Sequence, residues 1–335
     1  MILAQRVRPA LACYIKKGAS LMKFKVFIDG KEGTTGLKIF DRLEGRSDLE
    51  ILLIDEDKRK DVSERKKLIN ASDITFLCLP DDAATEAVLL VENDHVKVID
   101  ASTAHRVNPV WVYGFPELSS EQRQKISESH RIANPGCYAT GFISLVHPMV
   151  KLGIMPADYP VVCHAISGYS GGGKKMISDY AKPDRTAEYD AVRQYGLTQS
   201  HKHQKEMKVL SGLTDTPIFN PAVADFFAGM TVSVPLYTKL LSKKLTAQQI
   251  HETLSEYYDG QHFVKVMPFM GEGVLNGGFL PSNTLADTNL LQIFVCGNDE
   301  RVLLAACLDN LGKGASGAAV QNMNIALGLD EATGL

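Results

Sequence analysis

Three groups of residues in this chain have the types and spacing to do chemistry together. The first is Asn134-Pro135-Gly136-Cys137-Tyr138-Ala139-Thr140-Gly141, near the middle of the sequence. Pro135 and Gly136 mark a turn, and the series Phe142, Ile143, Leu145, Val146, Met149 and Val150 behind them is spaced for one helix face. Cys137 therefore belongs at the first turn of a helix. There, unpaired N–H groups and the positive end of the helix dipole stabilise a thiolate and lower its pKa, the setting of a nucleophile. The plainer reading of a free cysteine is a small buried hydrophobe. The second group, His201-Lys202-His203-Gln204-Lys205-Glu206, contains the one close pair among nine histidines. On an extended segment positions 201 and 203 face the same side. Either could be the general acid/base that a thiolate mechanism needs. The pair could also begin a metal site, although no third and fourth ligands stand at a recognisable spacing, or be a surface pair without a role.

The third group is Gly30-Lys31-Glu32-Gly33-Thr34-Thr35-Gly36. It joins an alternating strand pattern, Lys23 to Asp29, to a helical one at Leu37, Ile39, Phe40 and Leu43. Strand, glycine-rich turn and helix let backbone N–H groups approach a pyrophosphate at a helix N-terminus. The spacing is GxxGxxG, not the commoner GxGxxG, and a close-packed turn is the alternative.

These groups need a scaffold, and the rest of the chain supplies one. A second strand, Leu49 to Ile54, ends at Asp55-Glu56-Asp57-Lys58-Arg59-Lys60-Asp61. An acidic residue there would hold the ribose 2′-hydroxyl of NAD, and a cationic one would accommodate the 2′-phosphate of NADP. We expect NADP, with Arg59 or Lys60 reaching the phosphate and Asp55 pointing away; a solvated charged turn is the plain alternative. The third strand, Asp73 to Pro80, is a continuous apolar run of the kind buried on both faces. Asp81 to Thr85 can cap the next helix, and a fourth strand, Val96 to Asp100, ends at Ala101-Ser102-Thr103-Ala104-His105-Arg106. Strands alternating with helices predict a right-handed parallel sheet whose ligands lie beyond the carboxyl ends of its strands. Leu79, Pro80, Ser102, Arg106 and Cys137 all fall there.

Beyond the Cys137 helix the texture changes. A strand at Val161 to Ile166 runs into Ser167-Gly168-Tyr169-Ser170-Gly171-Gly172-Gly173-Lys174, and further strands read at Met230 to Leu236, Val264 to Met267 and Leu290 to Val295. This predicts a second sheet, mixed or antiparallel, carrying the substrate and a subunit interface. Val302 to Leu327 reads as helical and should return to pack on the first sheet. The fold class is therefore α/β: a Rossmann-type parallel-sheet domain (23–136 with 304–335) plus an α+β catalytic and substrate domain (137–303). Residues 1–21 read as a leader outside the fold, upstream of a natural start at Met22, and make a poor secretory signal.

Composition excludes several functions. At 335 residues the chain can bury two cores, and 45% apolar with 22% charged residues describes an ordinary globular protein. The net charge of -3 gives no field for nucleic acid, and no apolar run reaches the ~20 residues that span a bilayer. None of the six cysteines lies in a CxxC pair. Cys78, Cys163, Cys296 and Cys307 sit in apolar segments as packing residues, Cys13 falls in the leader, and the pattern suits a reducing, cytoplasmic compartment.

The stretches DGKEGTTGLKI, LCLPDDA, DASTAHRV, VYGFPEL, NPGCYATG, SGYSGGGKKMI, HKHQKEM and DNLGKGASGAAVQNMNIALGL occur in order along residues 23–335. On them the sequence resembles the shorter form of the N-acetyl-gamma-glutamyl-phosphate reductases, a family similar to the aspartate-semialdehyde dehydrogenases. The resemblance implies that Cys137 is the nucleophile and that one of His201 and His203 is the acid/base, with Glu206 near it. Gly30, Gly33, Thr34, Thr35 and Gly36 would cradle NADP, with Pro80 beyond the third strand. Asn310 and Gly314 would lie near the nicotinamide. Ser102, Arg106, Asn134, Ser167 and Gly168 are candidates for holding the phosphate or the substrate carboxylate. Lys205 stands where other members usually have proline. The implied partners are an acyl phosphate and inorganic phosphate, with a homo-oligomer, dimer or tetramer, as the assembly and no metal, nucleic acid or membrane. Competing readings are a reductase of another acyl phosphate such as aspartyl phosphate, an NADP-binding thiol redox sensor, and a metal-dependent enzyme built on the two histidines.

Overall fold

The computed structural model describes residues 23–335; the expected leader, Cys13 included, lies outside the described residues. The first half of the chain alternates as its pattern predicts: β1 (Phe24–Asp29), α1 (Thr34–Leu43), β2 (Leu49–Leu52), α2 (Val62–Ala71), β3 (Ile74–Leu77), α3 (Asp81–Val88), β4 (Lys97–Asp100), β5 (Val112–Tyr113), α4 (Gln122–Glu128) and β6 (Arg131–Ala133). The six strands form one parallel sheet in the order β2-β1-β3-β4-β6-β5. The strand order reverses between β1 and β3, where an open α/β sheet leaves a crevice at its carboxyl edge. β3 is buried throughout, as its unbroken apolar run requires. Asp81 does not cap its helix; its carboxylate accepts from the Thr103 N–H and hydroxyl instead.

The second half comprises α5 (Cys137–Lys151), β7 (Val162–Gly168), α6 (Gly173–Tyr180), β8 (Arg193–Gln194), α7 (Lys202–Ser211), β9 (Ile218–Ala224), β10 (Met230–Tyr237), α8 (Ala247–Tyr257), β11 (Val264–Val266), β12 (Leu291–Gly297) and β13 (Arg301–Leu308). Its seven strands make a mixed sheet in the order β11-β12-β13-β10-β7-β9-β8. The core lies between this sheet and α5, where Phe142, Ile143, Leu145, Val146 and Met149 meet Val232, Val234, Leu304 and Ala306. Gly141 lets the helix approach, since a Cβ there would fall 2.7 Å from the Val232 side chain.

One expectation fails outright. Val302 to Leu308 is not helical but a central strand, paired antiparallel to both β10 and β12. The run Val302-Leu303-Leu304-Ala305-Ala306-Cys307-Leu308 carries neither period clearly, and two flanking strands decide its state. The strand ends at Leu308, and the helical part of this stretch follows it. It begins with a π-helical turn, Gly312–Ser316, and continues as α9 (Gly317–Ala326). Ala319, Val320 and Met323 of α9 pack with Val26, Ile28 and Phe76 under the parallel sheet.

Candidate active site

α5 begins at Cys137 itself, with Gly136 as its N-cap in extended conformation. Its apolar face drives the helix into the core, which leaves its first turn at the carboxyl edge of the parallel sheet. A cleft of about 520 Å³ opens there, with walls that include Thr34, Arg106, Cys137, His201, His203 and Gly314. A second cavity of about 550 Å³ lies over the β1–β3 crevice and is lined by Gly30, Arg59, Lys60, Arg65 and Pro80, among others. The two share Gly33, Cys78 and Leu79, so they adjoin along the sheet edge.

The glycine turn is built for close approach. Gly30 has φ +87°, and a Cβ there would run into the Cys78 carbonyl. A Cβ on Gly36 would fall 2.5 Å from the Gly30 carbonyl oxygen, so the third glycine lets α1 pack onto its own turn. Gly36 therefore shapes the turn and lines neither of these two cavities. Thr34 and Thr35 face the Cys137 cleft, whereas Gly30, Arg59, Lys60 and Pro80 face the outer cavity. Asp55 pairs with Lys58 at 3.1 Å on the surface. These observations fit a dinucleotide: a cradle that side chains would fill, and two cations, Arg59 and Lys60, at its outer end. Glu56 approaches Arg59 only to 3.9 Å.

The Cys137 thiol departs from its expected state. Burial pushes it from 9.0 up to about 11, outweighing the Tyr138 N–H, Arg106 and Lys202, which favour the thiolate. The helix start acts in the expected direction and loses to desolvation. His203 is buried and held well below 6.5, first by that burial and then by Arg106, His201 and Lys202. It is therefore a neutral imidazole, and its Nδ1 has no hydrogen-bond partner among the described residues. His201 is half-buried, lowered to about 4 by burial and Lys202, and it caps α7. Its Nδ1 accepts from the His203 N–H at 3.1 Å, and Gln204 Oε1 accepts from the His201 N–H at 2.7 Å. That bond leaves the neutral His201 ring with its proton on Nε2. Lys205, the departure from the family pattern, is exposed and leaves this capping box intact.

The Glu206 carboxylate accepts its hydrogen bonds from groups other than the two imidazoles. Its Oε1 accepts from the Tyr113 hydroxyl at 2.6 Å and the Gly136 N–H at 2.9 Å, and its Oε2 from Arg106 Nη1 at 3.0 Å. Arg106 is held further by the carbonyls of Asn134 (Nε, 2.9 Å) and Ala101 (Nη2, 3.1 Å). Arg106 and His203 converge on Gly136, where a Cβ would lie 2.6 Å from His203 Nε2 and closer still to the guanidinium. Glycine is therefore required there by space, not by φ.

Of the other expected contacts, Asn134 and Asn310 line the cleft and Ser102 lies behind it. Ser102 does not line the cleft: its N–H and hydroxyl go to Asp100 at 2.9 and 2.8 Å, and His105 Nδ1 meets the same carboxylate at 2.6 Å. Asn134 donates to the Ala315 carbonyl, and Asn310 bridges the Gly229 N–H and Ser170 Oγ, so both amides brace the cleft walls. Ser167 and Gly168 line the cleft as expected. Tyr113, Lys202 and Tyr195 were not singled out by sequence; Tyr195 lines the cleft and donates to the Tyr138 hydroxyl at 2.9 Å. Among the described residues, no group of three or more His, Cys, Asp and Glu stands close enough to hold a metal ion. No helix among them is long and apolar enough to cross a membrane.

Comparison with known proteins places this geometry. Residues 25–126 match the semialdehyde dehydrogenase NAD binding domain and residues 137–310 the semialdehyde dehydrogenase dimerisation domain. N-acetyl-gamma-glutamyl-phosphate reductase 2 of Nostoc sp. is 50% identical over 321 residues, covering 93% of this chain and 99% of that protein. The enzyme of the same name from Pseudomonas putida is 47% identical over 311 residues, covering 92% and 98%. In fold, the chain is similar to aspartate semialdehyde dehydrogenase II from Vibrio cholerae (TM-score 0.67, 16% identity, 91% of this chain and 98% of that one). It is likewise similar to aspartate semialdehyde dehydrogenase from Francisella tularensis (TM-score 0.66, 14% identity, 90% and 99%). A cysteine at a helix start, a glycine cradle at the sheet edge and identity near one half along nearly the whole chain agree: the chain belongs to the N-acetyl-gamma-glutamyl-phosphate reductase family of semialdehyde dehydrogenases.

Proposed function

We propose that the protein reduces N-acetyl-gamma-glutamyl phosphate to N-acetylglutamate semialdehyde and inorganic phosphate, with NADPH, as a step of arginine biosynthesis in the cytoplasm. The observation that carries this reading is Cys137 at the start of α5, in one cleft with neutral His203 and the Arg106 guanidinium. An acyl phosphate needs a nucleophile that attacks well and later leaves, and a thiolate does both.

Cys137 Sγ attacks the γ-acyl carbon, and His203 takes the thiol proton that burial holds in place. The tetrahedral oxygen faces the first-turn N–H groups of α5, which have no intrahelical partners. The Gly136 N–H is excluded from that role by Glu206. Inorganic phosphate leaves and a thioester on Cys137 remains. Arg106 and Lys202 supply positive charge to the anionic substrate, while Glu206 acts through Arg106 and Gly136 as a positioning residue. When bound, NADPH supplies the hydride that reduces the thioester. Gly33, Thr34 and Thr35 would hold its pyrophosphate, and Arg59 and Lys60 its 2′-phosphate. Protonated His203 gives the proton taken from the thiol to the oxyanion and takes it back as the thiohemiacetal collapses, freeing the aldehyde and returning the proton to the Cys137 sulfur.

The assembly fits a homo-oligomer. The face of the second sheet opposite α5 carries Ile166, Tyr237 and Leu303 at 39%, 54% and 40% exposure, an apolar surface that a second copy would cover. We divide the chain into 23–136 with 309–335, and 137–308. Substrate choice is tested by comparing kcat/KM for N-acetylglutamate semialdehyde and aspartate semialdehyde with NADP and phosphate. Preference for the acetylated aldehyde is the expected result, and preference for the other would transfer the assignment to the neighbouring enzyme.

A further inference from the structure

Lys313 is almost completely buried, at 1% exposure, on the π-helical turn Gly312–Ser316. Its ammonium donates to Glu117 Oε1 and Oε2 at 2.8 and 2.9 Å and to Gln321 Oε1 at 2.6 Å. All three N–H bonds are used, and the rings of Phe115 and Phe263 lie 5.4 and 5.6 Å from the nitrogen. The network continues from Gln321 to Glu117 at 3.0 Å and to Glu331 at 2.6 Å, and Arg123 closes it on Glu331 at 2.8 Å. It joins the segment before α4, the π turn, α9 and the C-terminal residues. A buried ion pair is a poor way to gain stability, because apolar side chains of similar volume serve as well or better. What directional bonds add is a single register.

The register in question faces Cys137. The next residue, Gly314, lines the cleft and packs so tightly on the nucleophile that a Cβ would lie 2.8 Å from Cys137 Cβ and 3.1 Å from its Cα. The Ala315 carbonyl, also on the turn, accepts from Asn134 at 2.9 Å. π turns recur at functional sites, and this one precedes α9 with Gly314, the residue that meets the nucleophile, at its centre.

We propose that Lys313, clamped by Glu117 and Gln321, is a positioning residue that sets the π turn against Cys137 and so fixes where the nucleotide's reactive ring can meet the thioester. The assignment rests on the reductase reading above. It concerns the reduction half of the reaction and leaves acylation to Cys137, His203 and Arg106.

The test compares Lys313→Met with Lys313→Met/Glu117→Met, in which an apolar pair replaces the ionic one. Three quantities are read: the thermal midpoint, the stoichiometric phosphate burst from N-acetyl-gamma-glutamyl phosphate without nucleotide, and NADPH oxidation per folded site. NADP affinity from protein fluorescence gives a readout independent of turnover. The expected result is a lowered midpoint in the single variant and recovery in the double. Both should retain the burst, bind NADP more weakly and oxidise NADPH on the order of 10²-fold more slowly, the scale of a misplaced reacting group. Recovery of turnover and NADP affinity together with the midpoint would overturn the proposal and leave Lys313 a stability element. Wild-type protein without a phosphate burst would instead remove the reaction class, and this assignment with it.

Discussion

Replacing Glu206 with glutamine removes one charge and almost no volume, and the structure predicts a large effect. The carboxylate accepts three bonds, from Tyr113 and Gly136 on one oxygen and from Arg106 on the other. An amide has one accepting oxygen and two donors. With its oxygen toward Tyr113 and Gly136, its NH2 faces the Arg106 guanidinium; in the opposite orientation it faces the Gly136 N–H. Either way a buried donor loses its acceptor and the buried Arg106 charge loses its counterion. Breaking a buried pair from one side costs about 3–5 kcal/mol. Tyr113→Phe removes a single bond to a charged group, about 1.5–3 kcal/mol. Because the Tyr113 bond depends on the same carboxylate, the two substitutions together should cost less than their sum, by about 0.5–3 kcal/mol. Urea unfolding of the wild type, both singles and the double measures all of this. Steady-state kinetics should show Glu206→Gln lowering kcat/KM, since Arg106 and Gly136 border the nucleophile. Glu206→Gln within about 0.5 kcal/mol of wild type, or strict additivity, would refute the network.

Burial holds the Cys137 thiol near 11, above its ordinary 9.0, so iodoacetamide labelling mapped to Cys137 in ligand-free protein should rise about tenfold per pH unit from neutrality to pH 10, following the thiolate fraction. A plateau beginning below pH 7 would contradict it. The sign for stability follows from the same shift: a raised folded-state pKa contributes stability present below pH 9 and lost as pH rises toward about 11. Cys137→Ser should therefore flatten part of the alkaline loss in unfolding measurements. Gly314→Ala places a methyl group 2.8 Å from Cys137 Cβ, and kcat should fall on the order of 10²-fold while far-UV circular dichroism is retained. Arg59→Ala and Lys60→Ala should each raise KM for NADPH about tenfold or more, through a charge-assisted bond of about 1.5–3 kcal/mol, and leave KM for NADH nearly unchanged. Equal effects on both nucleotides would remove these residues from the 2′-phosphate site.

What the sequence disclosed about the site was local. Pro135-Gly136 followed by an apolar helical period is enough to put Cys137 at a helix start, and the glycine turn after β1 is legible in the same way. The acidity of the thiol is not, because the helix end is a property of eight residues whereas the cleft walls that bury it include the distant Gly314 and His203. The bonds that hold Glu206 are not legible locally, because its partners Arg106 and Tyr113 stand 100 and 93 residues away in sequence. Ser102 was read as facing a ligand because it follows β4, yet Asp100, two residues earlier, takes its hydroxyl. β13 was misread because a run of seven small and aliphatic residues has no decisive period, and its strand state is imposed by β10 and β12. Lys313 gave no signal at all, since a lysine in a glycine-rich stretch reads as solvated until its buried partners are seen.

In the proposed mechanism Cys137 carries an acyl group between phosphate and hydride chemistry. The most direct measurement follows NADP reduction with N-acetylglutamate semialdehyde, with and without phosphate, in wild type and Cys137→Ser. Phosphate-dependent turnover is expected in the wild type and none in the variant, with the variant folded and still binding NADP. Equal turnover without phosphate, or turnover that survives the substitution, would contradict it.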